Sequence, residues 1–366
     1  NMSKRPSNRA IIASAGSGKT TNIVEQALLL LEKRVLITTY TNENLEQINS
    51  YLIQKNGYVP DNITVLSWYS FLLQDGVRPY QNLVTQKGRA NSILFDELPD
   101  SSKFTKKSNV DRYFMTGGNN IYRDRVADFV CSIDDASNGL VIKRLEQMYD
   151  YIFVDEIQDL AGYDLNILEK LLSSSISILA VGDPRQATFS TNRFHKNKQF
   201  KKAGIYEWLL QEQKRQLLSI EEKRESYRCG QKICDFADML FPDLPKTISK
   251  NIQITSHDGI FHILENDVPN YIEEYNPKIL RFSKAINTMN LPALNIGLSK
   301  GRTYERVLIF PTKPMIKYLK SLDISEAGDK EKLYIAITRA KYSAAFVVPN
   351  DPNNQTTIRW MHGTPS

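Results

Sequence analysis

Residues 11–24 read IIASAGSGKTTNIV: two isoleucines, a loop with Gly16 and Gly18, then Lys19 and Thr20 opening a stretch of helical periodicity. No other stretch limits the fold as much. Closely spaced glycines let successive backbone N–H groups turn inward and cradle phosphate oxygens. Such a cradle needs a buried strand to deliver the loop and a helix to leave it, so that the helix N-terminus adds its dipole. The chain is therefore predicted to begin as a strand–loop–helix unit of an α/β fold. Lys19 is expected to meet the β- and γ-phosphates of a nucleotide and the Thr20 hydroxyl to bind Mg2+. Ala15, Gly16, Ser17, Gly18 and Thr21 complete the cradle. The strict pattern has glycine where Ala13 stands.

Strand and helix go on alternating. Lys19 to Leu31 reads as a helix, RVLITTYT as a second strand with a helix from Asn42 to Leu52 behind it, and ITVLSWYSFL as a third strand running into a helix. This predicts a parallel sheet with helices on its faces. From about Gln74 to Asp135 the text turns polar and reads as an insertion or small subdomain. YIFVDE and SISILAVGD then resume as nearly continuous apolar runs, as central parallel strands require. A second α/β pattern spans SIEEKRESYRCGQKICDFADML to KLYIAITRAKYSAAFVV. At 366 residues the chain has room for two domains, placed at 1–215, with the insertion at about 74–135, and at 216–366.

Three cysteines without a CxxC pair, and four histidines in no ligand spacing beside them, argue against a zinc site and read as reduced thiols of a cytoplasmic protein. QALLLLEKRVLITTY is broken by Glu32, Lys33 and Arg34, so no membrane span is expected. The net charge of +6 suits a polyanionic partner without requiring one.

Two further motifs carry chemistry. In YIFVDEIQDL, Asp155 at the strand tip is suited to hold Mg2+, and Glu156 beside it to orient or deprotonate a water. Adjacent carboxylates after a buried strand point to hydrolysis of the nucleotide rather than transfer to a second substrate. In ILAVGDPRQA, a strand ends at Asp183, and Gln186 is placed to sense the γ-phosphate; a plain Asp183–Pro184 turn is the rival reading.

Taken in order, ASAGSGKTT, ITTYTNENLEQI, VDEIQDL and VGDPRQATF resemble the motifs of superfamily 1A helicases of the UvrD/Rep type. ESYRCGQKICDFA, LSKGRTYERVLIF and KLYIAITRAKYSAAFVV resemble the fourth, fifth and sixth motifs of that family, so the resemblance runs from Ile11 to about Val348. It implies two RecA-like P-loop domains, 1A and 2A, with ATP and Mg2+ as nucleotide and metal. It implies that Tyr227 stacks on adenine, that Glu305 contacts the ribose beside Gly301, and that Arg228 and Arg339 reach the γ-phosphate as arginine fingers alongside Glu156 and Gln186. A guanidinium is always protonated and stabilises charge on a transferring phosphoryl group.

A motor on a single strand needs aromatic platforms and phosphate contacts. The resemblance places Tyr40 under a base and Trp68 and Tyr69 in the next such motif. Thr39, Thr41, Asn42 and Ser67 are candidates to bond phosphates, with Ser299 and Lys300 from the second domain. Trp68, among Leu66, Phe71 and Leu72, reads equally as core. Phe189 keeps the first aromatic of the third motif, but Thr191 stands where a base-stacking tryptophan is usual. Cys229 to Leu294 is too short a span to hold a 2B subdomain. The basic run Arg193 to Lys202 reads more readily as a solvated face than as a strand contact. The expected function is an ATP-dependent single-stranded DNA translocase or helicase, 3′–5′ as the family implies. The alternative is an ATP-gated nucleic-acid-binding subunit of a larger nuclease, defence or repair complex, with little unwinding of its own. RNA stays open as the strand, because stacking and phosphate contacts do not read the sugar.

Overall fold

Short apolar runs build the first sheet. β1 (Arg9–Ala13), β2 (Val35–Thr39), β3 (Ile63–Ser67), β4 (Tyr151–Asp155), β5 (Ser177–Gly182) and β6 (Ser219–Lys223) lie in the order β3-β2-β4-β5-β1-β6. The computed structural model describes residues 8–96, 104–188, 191 and 196–363. The pairs β2–β3, β2–β4, β4–β5 and β5–β1 are parallel. All five residues of β2 are buried, which explains why such runs show no alternation. Register places Asp155 opposite Val181, and Gly182 opposite Ile12, so the chain leaves β1, β4 and β5 at one end of the sheet. That shared end is the structural basis of the site.

The helices follow the expected start signals more closely than the expected ends. α1 (Lys19–Leu28) stops short of Leu31. α2 (Asn42–Asn56) runs past Leu52 and is capped at both ends. Thr41 Oγ1 accepts from the Asn44 N–H at 3.2 Å, and Gly57, at φ 87°, donates its N–H to the Ile53 carbonyl at 2.7 Å.

The stretch that reads as polar hides a core helix. α3 (Val126–Ala136) buries Val126, Phe129, Val130 and Ile133, and these share one core with Ile12, Leu36 and Ile152. Phe129 stacks on Phe114 with centroids 4.4 Å apart. A short parallel ladder, Ile93–Leu94 with Ile121–Tyr122, lies in the same segment. Composition conceals the helix because buried Asp128 sits within it, satisfied by the Tyr113 hydroxyl at 3.0 Å and by the Lys107 ammonium.

The chain divides into two compact units, Asn1–Ile12 with Lys19–Glu221, and Ala13–Gly18 with Glu222–Ser366. The second has its own sheet of β7 (Gly259–Leu264), β8 (Lys278–Arg281), β9 (Leu294–Asn295), β10 (Tyr304–Phe310), β11 (Ala340–Val348) and β12 (Ile358–Arg359). Its order is β9-β8-β10-β11-β7-β12, parallel at every pairing, with Ser343 to Val348 of central β11 wholly buried. α4 (Gln231–Asp238), α5 (Lys313–Ser321) and α6 (Lys330–Ile337) are helices of this unit. Two six-stranded parallel sheets with flanking helices make two RecA-like α/β units. Among the described residues, no helix is long and apolar enough to cross a membrane.

Phe129→Ala should destabilise the chain by about 3–5 kcal/mol, as for other buried aromatics cut to alanine. Urea unfolding measures this; a loss below about 1 kcal/mol would mean that the segment packs as a surface appendage.

Candidate functional site

In the first unit, α1 opens with Lys19 and Thr20, and β4 and β5 end at or next to carboxylates. Thr20 Oγ1 donates to Asp155 Oδ2 at 3.3 Å. Asp155 is buried, and burial pushes its carboxyl up to about 7; the charge of Glu156 adds to this and Lys19 opposes it. Asp183 is buried as deeply, and burial raises it too. Arg185 Nε at 2.8 Å, the Lys19 charge and Gln186 Nε2 at 2.9 Å outweigh that and hold it below the usual range. A hydroxyl and a carboxylate side by side are hard oxygen donors, which fits Mg2+ at Thr20 and Asp155.

Glu156 is in the left-handed region, at φ 57° and ψ 45°, and its N–H donates to Asp155 Oδ1 at 3.0 Å. A non-glycine residue there costs about 1–3 kcal/mol and needs surroundings that hold it. Gln158 supplies them. Its Nε2 donates to the Glu156 carboxylate, and its Oε1 accepts from the Asp183 N–H at 3.1 Å. A Cβ on Gly182 would come within 2.2 Å of that Oε1, so a larger residue at the strand end would displace the Gln158 bridge. Gln158 ties β4's loop to β5's, a role that sequence reading did not assign. The signal was a polar residue inside EIQDL, between the apolar Ile157 and Leu160.

The candidate strand-facing residues divide by exposure. Tyr40 is half-buried, and its ring lies 5.8 Å from that of Tyr69. Trp68 is 1% exposed and donates Nε1–H to Asp164 Oδ1 at 2.6 Å; Tyr69 is 5% exposed and donates its hydroxyl to the Thr191 carbonyl at 2.7 Å. Both are core aromatics in this structure, which agrees with the core reading of Trp68 and leaves Tyr69 little open face for a base. Thr39 is buried, the Thr41 hydroxyl caps α2, and Ser67 Oγ accepts from the Ser70 N–H at 3.0 Å. Asn42 is exposed and Thr21 half-buried. Phe189 and Arg193 lie outside the described residues. Thr191 is buried: its Oγ1 accepts from the Ala161 N–H and its N–H donates to the Asp159 carbonyl, both at 2.9 Å. Sequence reading missed Phe95, 56% exposed and edge-on to Tyr69 at 5.3 Å, and Arg123, whose charge acts on Tyr40 and Tyr69. Both come from the segment taken as polar, and nothing local marks them.

In the second unit, the Ser226 hydroxyl donates to the Ala15 carbonyl at 2.7 Å, and the Tyr227 N–H to that of Gly16 at 3.0 Å. Gly16 has φ 78°, and a Cβ there would meet Arg228 Cβ at 2.5 Å. Gly18, at φ 75°, is exposed. Ala15 and Ser17 are buried, and Ser17 Oγ has no hydrogen-bond partner among the described residues. The Tyr227 ring is 66% exposed. Arg228 donates to the Thr338 carbonyl at 3.2 Å. Arg339 is buried and turned onto its own unit, donating to the carbonyls of Ile335, Ser299 and Arg302 at 3.2–3.4 Å. Ser299 is buried with its hydroxyl on the Ile296 carbonyl at 2.7 Å, which removes it as a phosphate contact here. Lys300 is half-buried, and Gly301 and Glu305 are exposed.

Two family models match the chain: an AAA domain over residues 2–192, and a viral superfamily 1 RNA helicase core domain over residues 119–348. A probable DNA helicase II homolog of Mycoplasma capricolum is 24% identical over 238 residues, covering 49% of this chain and 32% of that protein. Among solved structures, the helicase of the virus PRRSV is 15% identical with a TM-score of 0.44, covering 93% of this chain and 52% of the viral one. An arterivirus nonstructural protein 10 helicase in complex with DNA is 16% identical with a TM-score of 0.48, covering 96% and 61%. The chain thus spans about a third of the bacterial relative's length and between half and two thirds of the viral chains.

The Trp68–Asp164 pair sets a pH dependence. Burial raises the Asp164 carboxyl to about 6, despite bonds from Thr191 and Trp68 that lower it. The native chain therefore keeps a proton that the unfolded chain has released, and stability is lost as pH rises from about 4 through about 6. Asp164→Asn, which keeps an acceptor for Trp68, should remove that loss, so that the variant gains on wild type as pH rises through this window. Urea midpoints on either side of it test this; parallel midpoints would mean that Asp164 is ionised in both states.

Proposed function

The chain belongs to the superfamily 1 helicases of UvrD/Rep type, and from that premise we propose that it is an ATP-dependent translocase on single-stranded DNA, moving 3′–5′. The observation that carries the reading is the convergence of Lys19, Thr20, Asp155, Glu156 and Gln186 at one end of a parallel sheet. The loop Ala15–Gly18 and Lys19 bind the phosphates of ATP, Thr20 and Asp155 hold Mg2+, and Glu156 orients the attacking water. The bound Mg2+ supplies charge neutralisation for the phosphates. Strain at Glu156 and the Gln158 bridge fix where that carboxylate points, which favours a positioned water over a mobile one. Tyr227, with its open ring, takes the adenine, and Glu305 beside Gly301 the ribose. Arg228 and Arg339 stabilise the developing charge on the γ-phosphate. On the strand side, Tyr40 and Phe95 offer ring faces to bases, with Arg123, Thr41, Asn42 and Lys300 near phosphates.

One observation favours a second reading. With Trp68 and Tyr69 in the core and Thr191 serving as a buried strut, few platforms remain to grip a strand. On that reading the chain is an ATP-gated nucleic-acid-binding subunit, with a nuclease or similar partner supplying the rest.

The deciding measurement is steady-state ATP hydrolysis without nucleic acid, with single-stranded DNA and with single-stranded RNA. Stimulation by DNA is expected. Lys19→Ala should abolish turnover, and Arg228→Ala should lower kcat by about 10³-fold, the lower end for an arginine finger. A rate that neither strand changes would remove the self-sufficient motor and leave the subunit reading. Normal hydrolysis by Arg228→Ala would remove its assignment as a finger.

A further inference from the structure

A cavity of about 860 Å³ in the first unit carries cations that the nucleotide chemistry does not use. Arg78, Lys87, Arg89 and Arg144 line it, and among the described residues no carboxylate does. Two of these cations are fixed by neutral partners. Arg78 donates to the carbonyls of Ala90 and Asn91 at 3.0 and 2.7 Å, and Lys87 to those of Met115 and Thr116 at 3.3 and 2.5 Å. Carbonyls orient a cation without cancelling its charge. Arg89 is exposed and makes no ion pair among the described residues. Among the described residues, Arg144 alone of the four faces an acid, Asp75, at 3.4 Å, and Asp75 also accepts from the Tyr149 hydroxyl at 3.1 Å.

The loop that presents these charges is built into the fold. Buried Gln81 donates to the Gly88 carbonyl at 2.9 Å and accepts from the Ala90 N–H at 3.0 Å, holding the residues on either side of Arg89. Thr85 is buried and donates to Asp111. The cavity is also remote from the site described above. Residues 68–77 are helical and separate the tip of β3 from Arg78. Tyr149 just precedes β4, whose far end bears Asp155 about 13 Å along the strand.

We propose that this cavity is a second polyanion site that takes the phosphodiester backbone of duplex DNA. The rest of the lining decides between strand types. It holds amides, such as Gln74, Asn82 and Gln86, and no aromatic ring among the described residues. Single strands are gripped by stacking their bases, whereas a duplex keeps its bases stacked inside and presents phosphates to arginine, lysine and amide donors. The inference rests on the nucleic-acid reading above, and it gives the motor a hold on paired nucleic acid separate from its hold on the strand.

The test is fluorescence anisotropy of a labelled blunt DNA duplex with the whole nucleotide-free chain, across a salt series. Arg89→Glu should weaken binding about tenfold and reduce the slope of log K against log salt by about one, while Arg89→Lys keeps the slope. Melting curves confirm that both variants fold. An unchanged slope for Arg89→Glu overturns the proposal. So does displacement of the duplex by polyglutamate of matched charge but not by single-stranded DNA, which would mark an acidic-peptide site. Wild-type ATP hydrolysis with a single strand tests the underlying reading separately, so a silent ATPase with a salt-sensitive, Arg89-dependent duplex complex would fail that reading and leave the cavity standing.

Discussion

Two carboxylates, Asp155 and Asp183, are held out of water at the ends of neighbouring strands, and the Lys19 ammonium acts on both. Burying a charge is costly unless a partner offsets it. The two sites resolve that cost in opposite ways. Asp183 has Arg185 and Gln186 bonded to it and stays ionised. Asp155 has a hydroxyl, a backbone N–H and a second carboxylate beside it, so burial wins and the proton is retained to about pH 7. Similar burial yields one permanent anion and one carboxyl that a further cation would ionise. That difference depends on the parallel register that brings the strand ends together.

Around this pair the protein spends polar groups on rigidity. Gln158 bridges the loop after β4 to the end of β5, and the left-handed Glu156 is kept in place between them. Thr191 closes a second bridge, joining the Asp159–Ala161 turn to Tyr69. Trp68 and Asp164 lock a third. Each link joins segments distant in sequence through short, directional bonds.

The fold was legible because its signals are local and redundant. The loop glycines, the apolar runs without alternation and the carboxylates that follow them all point to parallel sheets. The Thr41 cap of α2 sits just ahead of the predicted start at Asn42. The buried helix Val126–Ala136 was not legible, because Asp128 and Asp134 interrupt its apolar face and their partners, Lys107 and Lys170, come from elsewhere. Trp68 could not be decided from its neighbours either: an aromatic after a strand serves a core or a ligand equally well until Asp164 is seen bonded to it. Gln158 stood in plain view, yet its partner Asp183 is 25 positions away.

The sequence alone determined which chemistry this chain can carry. A glycine-rich loop with lysine and threonine and strand-end carboxylates are fixed by residue type and short spacing, and such spacing survives translation into backbone geometry. Tertiary structure decided which of those side chains are free to act. It placed Trp68, Tyr69 and Ser299 inside, turned Arg339 onto carbonyls of its own unit, brought Phe95 and Arg123 to Tyr69, and gathered four cations around one cavity. The physical reason is that burial and partnership are properties of pairs. Each depends on a second residue tens of positions distant, and no local pattern specifies where the fold will put it.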